Sequence, residues 1–170
     1  MTVNWYAMRV KPHKEQWVAA YLQERAVEVF YPALKVKPVN PRSRWERPYF
    51  PGYIFVQADL EQNGLQAFSW IPGARGLVSF GEEAAVVTPN LIHELQRHLA
   101  NVNAKGGLNR NDYQSGEKVR IVSGPFQGYD AIFDTHLPGK ERVQILLAFL
   151  SSVPQPIKLN VTDIIKRNKA

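Results

Sequence analysis

The residues able to carry proton or metal chemistry in this chain are few and scattered. Histidine occurs at positions 13, 93, 98 and 136, and cysteine does not occur. His93 and His98 lie five apart, which does not bring both to one helical face as the four-residue spacing of a zinc-binding helix does. Without cysteine, thiolate zinc sites, disulfide frameworks and cysteine nucleophiles are excluded. There is no Gly-rich phosphate loop and no nucleophile elbow, and Glu82-Glu83 reads as a solvated turn rather than a catalytic pair. The expectation is a protein that is not an enzyme and holds no cofactor or metal. What the chain offers instead is contact chemistry. Aromatic residues crowd Phe50, Pro51, Tyr53 and Phe55, and basic residues at Arg9, Lys11, His13 and Lys14 adjoin Trp17 and Tyr21. Arg42, Arg44 and Arg47 surround Trp45 in a proline-rich stretch, where a loop would present them to a partner.

Such groups need a scaffold, and 170 residues suffice for one ordinary domain or two small ones. The 45% hydrophobic content supports a packed core, and 11% aromatics argue against disorder. No apolar run approaches the roughly 20 residues that span a bilayer. Met1 to Trp5 lacks the regions of a signal peptide, so a cytoplasmic location is expected. The net charge of +6 favours acidic partners, nucleic acid among them. Residues 1–105 hold 12 basic and 9 acidic side chains and residues 106–170 hold 9 and 6, so each part is +3 and charge marks neither as the binding module.

The stretch NVNAKGGLNRND at 101–112 reads as a linker, dividing a domain of residues 1–101 from one of 113–170. In the first, Val3 to Val10 has the composition of a strand, and Pro12 opens a helix to about Arg25. Strands follow at Glu28 to Lys37 and Tyr49 to Gln57, separated by a loop or hairpin tip from Pro38 to Pro48. Asp59 caps a helix through Trp70, Gly76 to Phe80 is a short strand, and Thr88-Pro89 starts a final helix reaching Leu99. The order β-α-β-β-α-β-α fits an α+β domain with helices on an antiparallel sheet. The second part reads as short strands at 118–123, 131–135, 142–148 and 156–161, suited to a small closed five-stranded barrel. Gly124-Pro125 would turn that chain, Phe126 plug the barrel and Gly128 supply a glycine-only conformation.

Two stretches resemble a known family. GEKVRIVSGPFQG at 116–128 looks like the KOW motif, and the first domain resembles the NGN domain of NusG-type transcription factors. The second likeness rests on Trp5-Tyr6, Lys11-Pro12, the run Phe50 to Val56, Ile71-Pro72-Gly73, and Leu77 to Gly81. The resemblance implies a monomeric elongation and antitermination factor. Its NGN domain would dock on the clamp helices of the largest RNA polymerase subunit and reach the opposite large subunit, suppressing pausing. Phe50, Pro51, Tyr53 and Phe55 match the family's docking patch. Tyr53 and Phe55 share a strand face by the period of two; filling the core and exposure for binding both remain open for them. The second polymerase contact falls by position on Gly64, Leu65 and Gln66, next to Asn63.

In RfaH, a specialised relative, the first helix reads the exposed non-template DNA strand. Here Arg9, Lys11, His13, Lys14, Trp17 and Arg75 occupy that region, lysine and arginine for phosphates, Trp17 and Tyr21 for stacking, unless these form only a solvated face. In the KOW domain the family's partner site matches Phe149-Leu150, but the Gly-Arg that follows it in general NusG is Ser151-Ser152 here. That argues against recruitment of the termination factor Rho, leaves a small-subunit ribosomal protein as candidate partner, and favours a specialised paralogue. A housekeeping NusG acting with Rho and a ribosome-associated, RNA-binding KOW protein are the alternatives. RfaH also hides its patch under a C-terminal segment folded as a helical hairpin. Pro125, Pro138, Pro154 and Pro156 disfavour a long hairpin, since an interior proline costs roughly 3 kcal/mol, so a barrel and an open patch are expected.

Overall fold

A computed structural model describes residues 3–36, 42, 46–105, 132 and 138–152 of the chain. In chain order the elements are β1 (Asn4–Val10), α1 (Glu15–Gln23), β2 (Val29–Phe30), β3 (Ala33–Lys35), β4 (Glu46–Pro48) and β5 (Tyr53–Ala58). There follow α2 (Leu60–Asn63), a 3₁₀ turn (Leu65–Ser69), β6 (Ala74–Leu77), β7 (Ser79–Phe80), β8 (Glu83–Ala84), β9 (Val86–Val87), α3 (Pro89–Ala104) and α4 (Gly139–Ser152).

The main sheet runs β2-β5-β1-β6, with β9 also paired to β1, and its pairings are antiparallel. Alternation along β1 sorts the core into two layers. Tyr6, Met8 and Val10 pack with Ile54 and Val56 of β5 and with Val18, Ala19 and Leu22 of α1. On the other face, Ala7 joins Phe55 of β5 and Leu91, Ile92, Leu95 and Leu99 of α3. α1 and α3 therefore lie on opposite sides of one sheet, each held by the apolar stripe that the 3.6-residue period gives it. The α+β reading of the first domain is borne out.

Several boundaries differ from the sequence reading, for local reasons. α1 starts at Glu15 rather than Pro12, because His13 takes a left-handed φ of 66° before the helix begins. The expected strand over 28–37 is two short pieces interrupted at Tyr31-Pro32. Tyr49 to Gly52 is a turn ahead of β5, with Gly52 at φ 84°. Asp59 does cap a helix, accepting from Glu61 N at 3.0 Å, but Gly64 at φ 74° ends that helix after one turn. α3 continues past Leu99 to Ala104, where the Asn103 amide ties it to β3: Lys35 N donates to Asn103 Oδ1 at 2.9 Å and Nδ2 donates to the Ala33 carbonyl at 3.0 Å.

One expectation in the C-terminal part is corrected. Residues 142–148, read as a barrel strand, lie inside α4. The prolines invoked against a helix fall outside it, Pro138 just before and Pro154 two residues past its end, so the 14 residues of α4 include no proline. Pro138 instead starts the helix, its carbonyl accepting from Glu141 N at 2.9 Å and Arg142 N at 3.2 Å. The KOW-motif residues Gly124, Phe126 and Gly128 lie outside the described residues.

Among the described residues no helix is long and apolar enough to cross a membrane, and no group of three or more His, Asp or Glu side chains could hold a metal ion.

Candidate functional site

The four residues of the expected docking patch are gathered at one place, where the turn after β4 enters β5. Phe50 and Phe55 are fully buried, with ring centroids 5.9 Å apart edge to face. Phe30 of β2 stacks on the outer side of Phe55, also at 5.9 Å. Tyr53 is half-buried against the same cluster, and Pro51 is exposed at the turn. β5 therefore splits as its period requires: Phe55 joins the α3 layer while Ile54 and Val56 serve the α1 layer.

This aromatic face is covered, which corrects the expectation that it is open. The lid is α4. Leu146, Phe149 and Leu150, together with Ile132, belong to the same buried cluster as Tyr49, Phe50 and Phe55. Arg142, Leu146, Phe149 and Leu150 follow at i, i+4, i+7 and i+8, a stripe along one side of the helix. The Phe149-Leu150 pair expected to meet a KOW partner is thus turned inward against the first domain.

Polar contacts fix the register of the lid. The Tyr49 hydroxyl donates to the Ile132 carbonyl at 2.7 Å, and Arg142 Nε donates to the Tyr49 carbonyl at 2.8 Å. The Arg142 guanidinium also lies 4.2 Å from the Tyr49 ring centroid, where the ring quadrupole attracts it. Gly139 allows the helix to start against the first domain, because a Cβ there would come within 2.7 Å of Pro51 Cγ. Tyr49, Ile132, Arg142 and Leu146 were not singled out from sequence. The i, i+4, i+7, i+8 spacing was the available signal, hidden because Val143, Ile145 and Leu147 alternate as a strand would.

Arg142→Ala removes a hydrogen bond from a charged donor and the ring contact together. It should destabilise the seated lid by about 2 kcal/mol. Amide exchange in residues 139–152 should accelerate correspondingly while that of β1 and β5 holds.

The basic region divides in two. Lys11, His13 and Lys14 are exposed at the entrance to α1, with Trp17 on its first turns. Arg9 is exposed too, but alternation sends it to the opposite face of the sheet, where it stands across from Tyr53 in the β1–β5 register. Arg75 is exposed on β6. Trp17 and Tyr21 stack at 5.4 Å, and the Arg25 guanidinium lies 3.4 Å from the Tyr21 centroid. Tyr21 is thereby enclosed between Trp17 and Arg25, and of that pair Trp17 retains an open ring surface.

Gly64 is exposed between α2 and the 3₁₀ turn that contains Leu65 and Gln66. Arg42 and Arg47 are exposed beside the β3–β4 hairpin, whereas Arg44 and Trp45 lie outside the described residues.

A strut ties the two regions together. Glu15, buried at the start of α1, accepts from Gly52 N at 3.0 Å, and Gly52 in turn accepts from Val10 N at 2.8 Å. Glu15→Ala would leave the part-buried Gly52 N–H without its acceptor at a cost of about 1–2 kcal/mol, whereas Glu15→Gln keeps an acceptor oxygen and should lose much less. Urea unfolding of both variants measures the difference.

Residues 3–96, more than half of the chain, match the family model described as "Transcription termination factor nusG". The chain is 24% identical over 188 residues to the transcription termination/antitermination protein NusG of Thermus thermophilus, covering 98% of this chain and 100% of that protein. It is 25% identical over 191 residues to the protein of the same name from Deinococcus radiodurans, with the same coverage of 98% and 100%. Among solved structures, one described as "Domain interaction in Thermotoga maritima NusG" matches with a TM-score of 0.46 and 20% identity, covering 75% of this chain and 76% of that one. With the family model matched over β1 to α3, the chain belongs to the NusG family of transcription termination and antitermination proteins.

Proposed function

We propose that this chain is an elongation and antitermination factor that binds the clamp helices of RNA polymerase through Phe50, Pro51, Tyr53 and Phe55, and that α4 closes this face in the free protein. The observation that carries the proposal is the burial of Leu146, Phe149 and Leu150 in one cluster with Phe50 and Phe55. A surface that a helix of the chain itself fills with leucine and phenylalanine is suited to receive another apolar helix surface. Binding then requires α4 to leave. The released segment takes up the barrel that the motif at 116–128 implies, and Phe149-Leu150 become available to a partner such as a small-subunit ribosomal protein. Gly64, Leu65 and Gln66 supply the second polymerase contact, and Lys11, His13, Lys14, Trp17 and Arg75 approach the non-template DNA strand.

A covered face suits a factor recruited under particular conditions better than one bound to every polymerase. The absence of Gly-Arg after Phe149-Leu150 supports the same specialised reading. Tyr53 is the residue to test, since it is half-buried and its loss spares the inner core. In a full-length chain whose α4 has been unseated, Tyr53→Ala should weaken binding to core RNA polymerase by on the order of 2 kcal/mol. Unchanged binding would move the interface off this face. A pull-down with Rho separates the specialised factor, which should not retain it, from a housekeeping one.

A further inference from the structure

Arg9 is the charged residue that β1 sends to the aromatic face. Trp5, Ala7 and Arg9 alternate onto one side of the strand and stand across from Gln57, Phe55 and Tyr53 of β5. Trp5, Ala7, Phe55 and Tyr53 all belong to the cluster that α4 shares. Arg9 therefore continues that row past its apolar part, beside the half-buried Tyr53. On its other flank the register partner is Gly76 of β6, which has no side chain to cover it. The result is an arginine exposed at the rim of the face while α4 is seated.

The lid makes no use of it. α4 fills the cluster with Leu146, Phe149 and Leu150 and places its own Arg142 on Tyr49. Its single carboxylate, Glu141, is exposed and makes no ion pair with Arg9. A ligand shifts a closed–open equilibrium only by what it gains in one state over the other. An incoming apolar helix surface repeats what Leu146, Phe149 and Leu150 already supply, whereas a carboxylate facing Arg9 adds a contact that α4 lacks. We propose that Arg9 is the charged anchor of the polymerase face and pairs with an acidic side chain on the helices that dock there. The inference rests on the reading of this face as the polymerase site. It adds a cation to a patch otherwise read as apolar, and it takes Arg9 away from DNA. A pair at a solvated rim acts on the rate of encounter and on the choice of partner surface more than on affinity. Because Arg9 is exposed in the closed form, it is available to that encounter before α4 leaves.

The test follows association and dissociation of labelled core RNA polymerase with the full-length chain carrying Leu146→Asp and Phe149→Asp, changes designed to unseat α4. At about 0.05 M salt, Arg9→Gln should slow association about threefold and Arg9→Glu about tenfold, with dissociation changed less than about twofold. At about 0.5 M salt these differences should fall below about twofold, because exposed charges are then screened over a few ångströms. Lys14→Glu makes the same change of charge on the exposed α1 side and should alter association less than about twofold. Equal slowing by Arg9→Glu and Lys14→Glu would reduce the effect to net charge and overturn the anchor. A defect of Arg9→Glu that persists at high salt would mean lost packing rather than a lost ion pair, and overturns it too. If Arg9→Glu changes nothing while Tyr53→Ala still weakens binding, the polymerase face stands without its anchor. If neither variant alters binding, the reading of the face itself fails. Should Arg9→Gln instead weaken binding of a labelled single-stranded oligodeoxynucleotide and leave polymerase binding intact, Arg9 belongs with DNA.

Discussion

The full-length chain carrying Leu146→Asp and Phe149→Asp is expected to bind core RNA polymerase more tightly than the parent, by on the order of a hundredfold where the parent is closed to that extent. Leu146 and Phe149 are 0% and 1% exposed in the closed form, where they cover Phe50 and Phe55. Burial of each such side chain is worth roughly 1.5–3 kcal/mol, and placing a carboxylate there adds the cost of an unpaired buried charge. The closed form should therefore lose at least about 3 kcal/mol, and each 1.4 kcal/mol is tenfold in a binding constant. The gain in apparent affinity is limited by how far the parent population is closed, since affinity scales with the fraction of competent molecules. Titration of labelled core polymerase with both proteins reads the effect. Equal affinities would mean that α4 does not govern access to the face. A companion amide-exchange measurement should show protection of residues 139–152 in the parent and its loss in the variant. The same residues cannot both occupy the aromatic face and leave it free, so the two readouts must move together.

The second large effect concerns stability. Phe55→Ala should destabilise the protein by about 3–5 kcal/mol, the usual cost of removing a buried phenylalanine. Its ring is 0% exposed and lies between Phe30, stacked on it, and Phe50, edge to face. β5 is the strand between β2 and β1, so the cavity would open in the middle of the sheet rather than at a rim that can collapse. The shift appears in thermal or urea unfolding of the variant. A loss under about 1 kcal/mol would mean that Phe55 contributes mainly to a surface, not to the core. This bears on how the interface is probed. Phe55 carries core and face at once, and its truncation lowers polymerase binding whether or not the ring touches the polymerase. Tyr53 separates the two roles.

Local patterns in the chain were sufficient for the first domain. The alternation of β1 and β5 set Phe55 and Ile54 on opposite faces, Asp59 capped the helix it was expected to cap, and Thr88-Pro89 opened α3. Failures there were of extent. His13 and Gly64 adopt positive φ, so α1 starts late and the helix after Asp59 breaks after one turn. Composition gives only a weak warning of the first, because histidine is enriched at positive φ among non-glycine residues but most histidines do not adopt it. Arg9 stands apart from Lys11, His13 and Lys14 for a geometric reason, since nearness in sequence to Lys11 hides that a strand sends neighbours to opposite faces.

The segment from Gly139 to Ser152 shows where local information ends. Its residues satisfy two periods at once. Val143, Ile145 and Leu147 alternate as in a strand, while Arg142, Leu146, Phe149 and Leu150 line one side of a helix. Without an interior proline neither conformation is excluded, and intrinsic propensities differ by less than about 1 kcal/mol per residue. The choice falls to what the segment packs against. Tyr49, Phe50 and Phe55 of the first domain offer a site for one helical stripe, and Tyr49 supplies a carbonyl for Arg142. By itself the sequence determined the two-faced sheet, its flanking helices and the identity of the aromatic cluster, because each follows from periods of two or 3.6 within one segment. Only the tertiary structure decided that α4 is a helix and that it lies over that cluster, because those contacts join residues some 90 positions apart, as in the bond from Arg142 to Tyr49, and no local period encodes them.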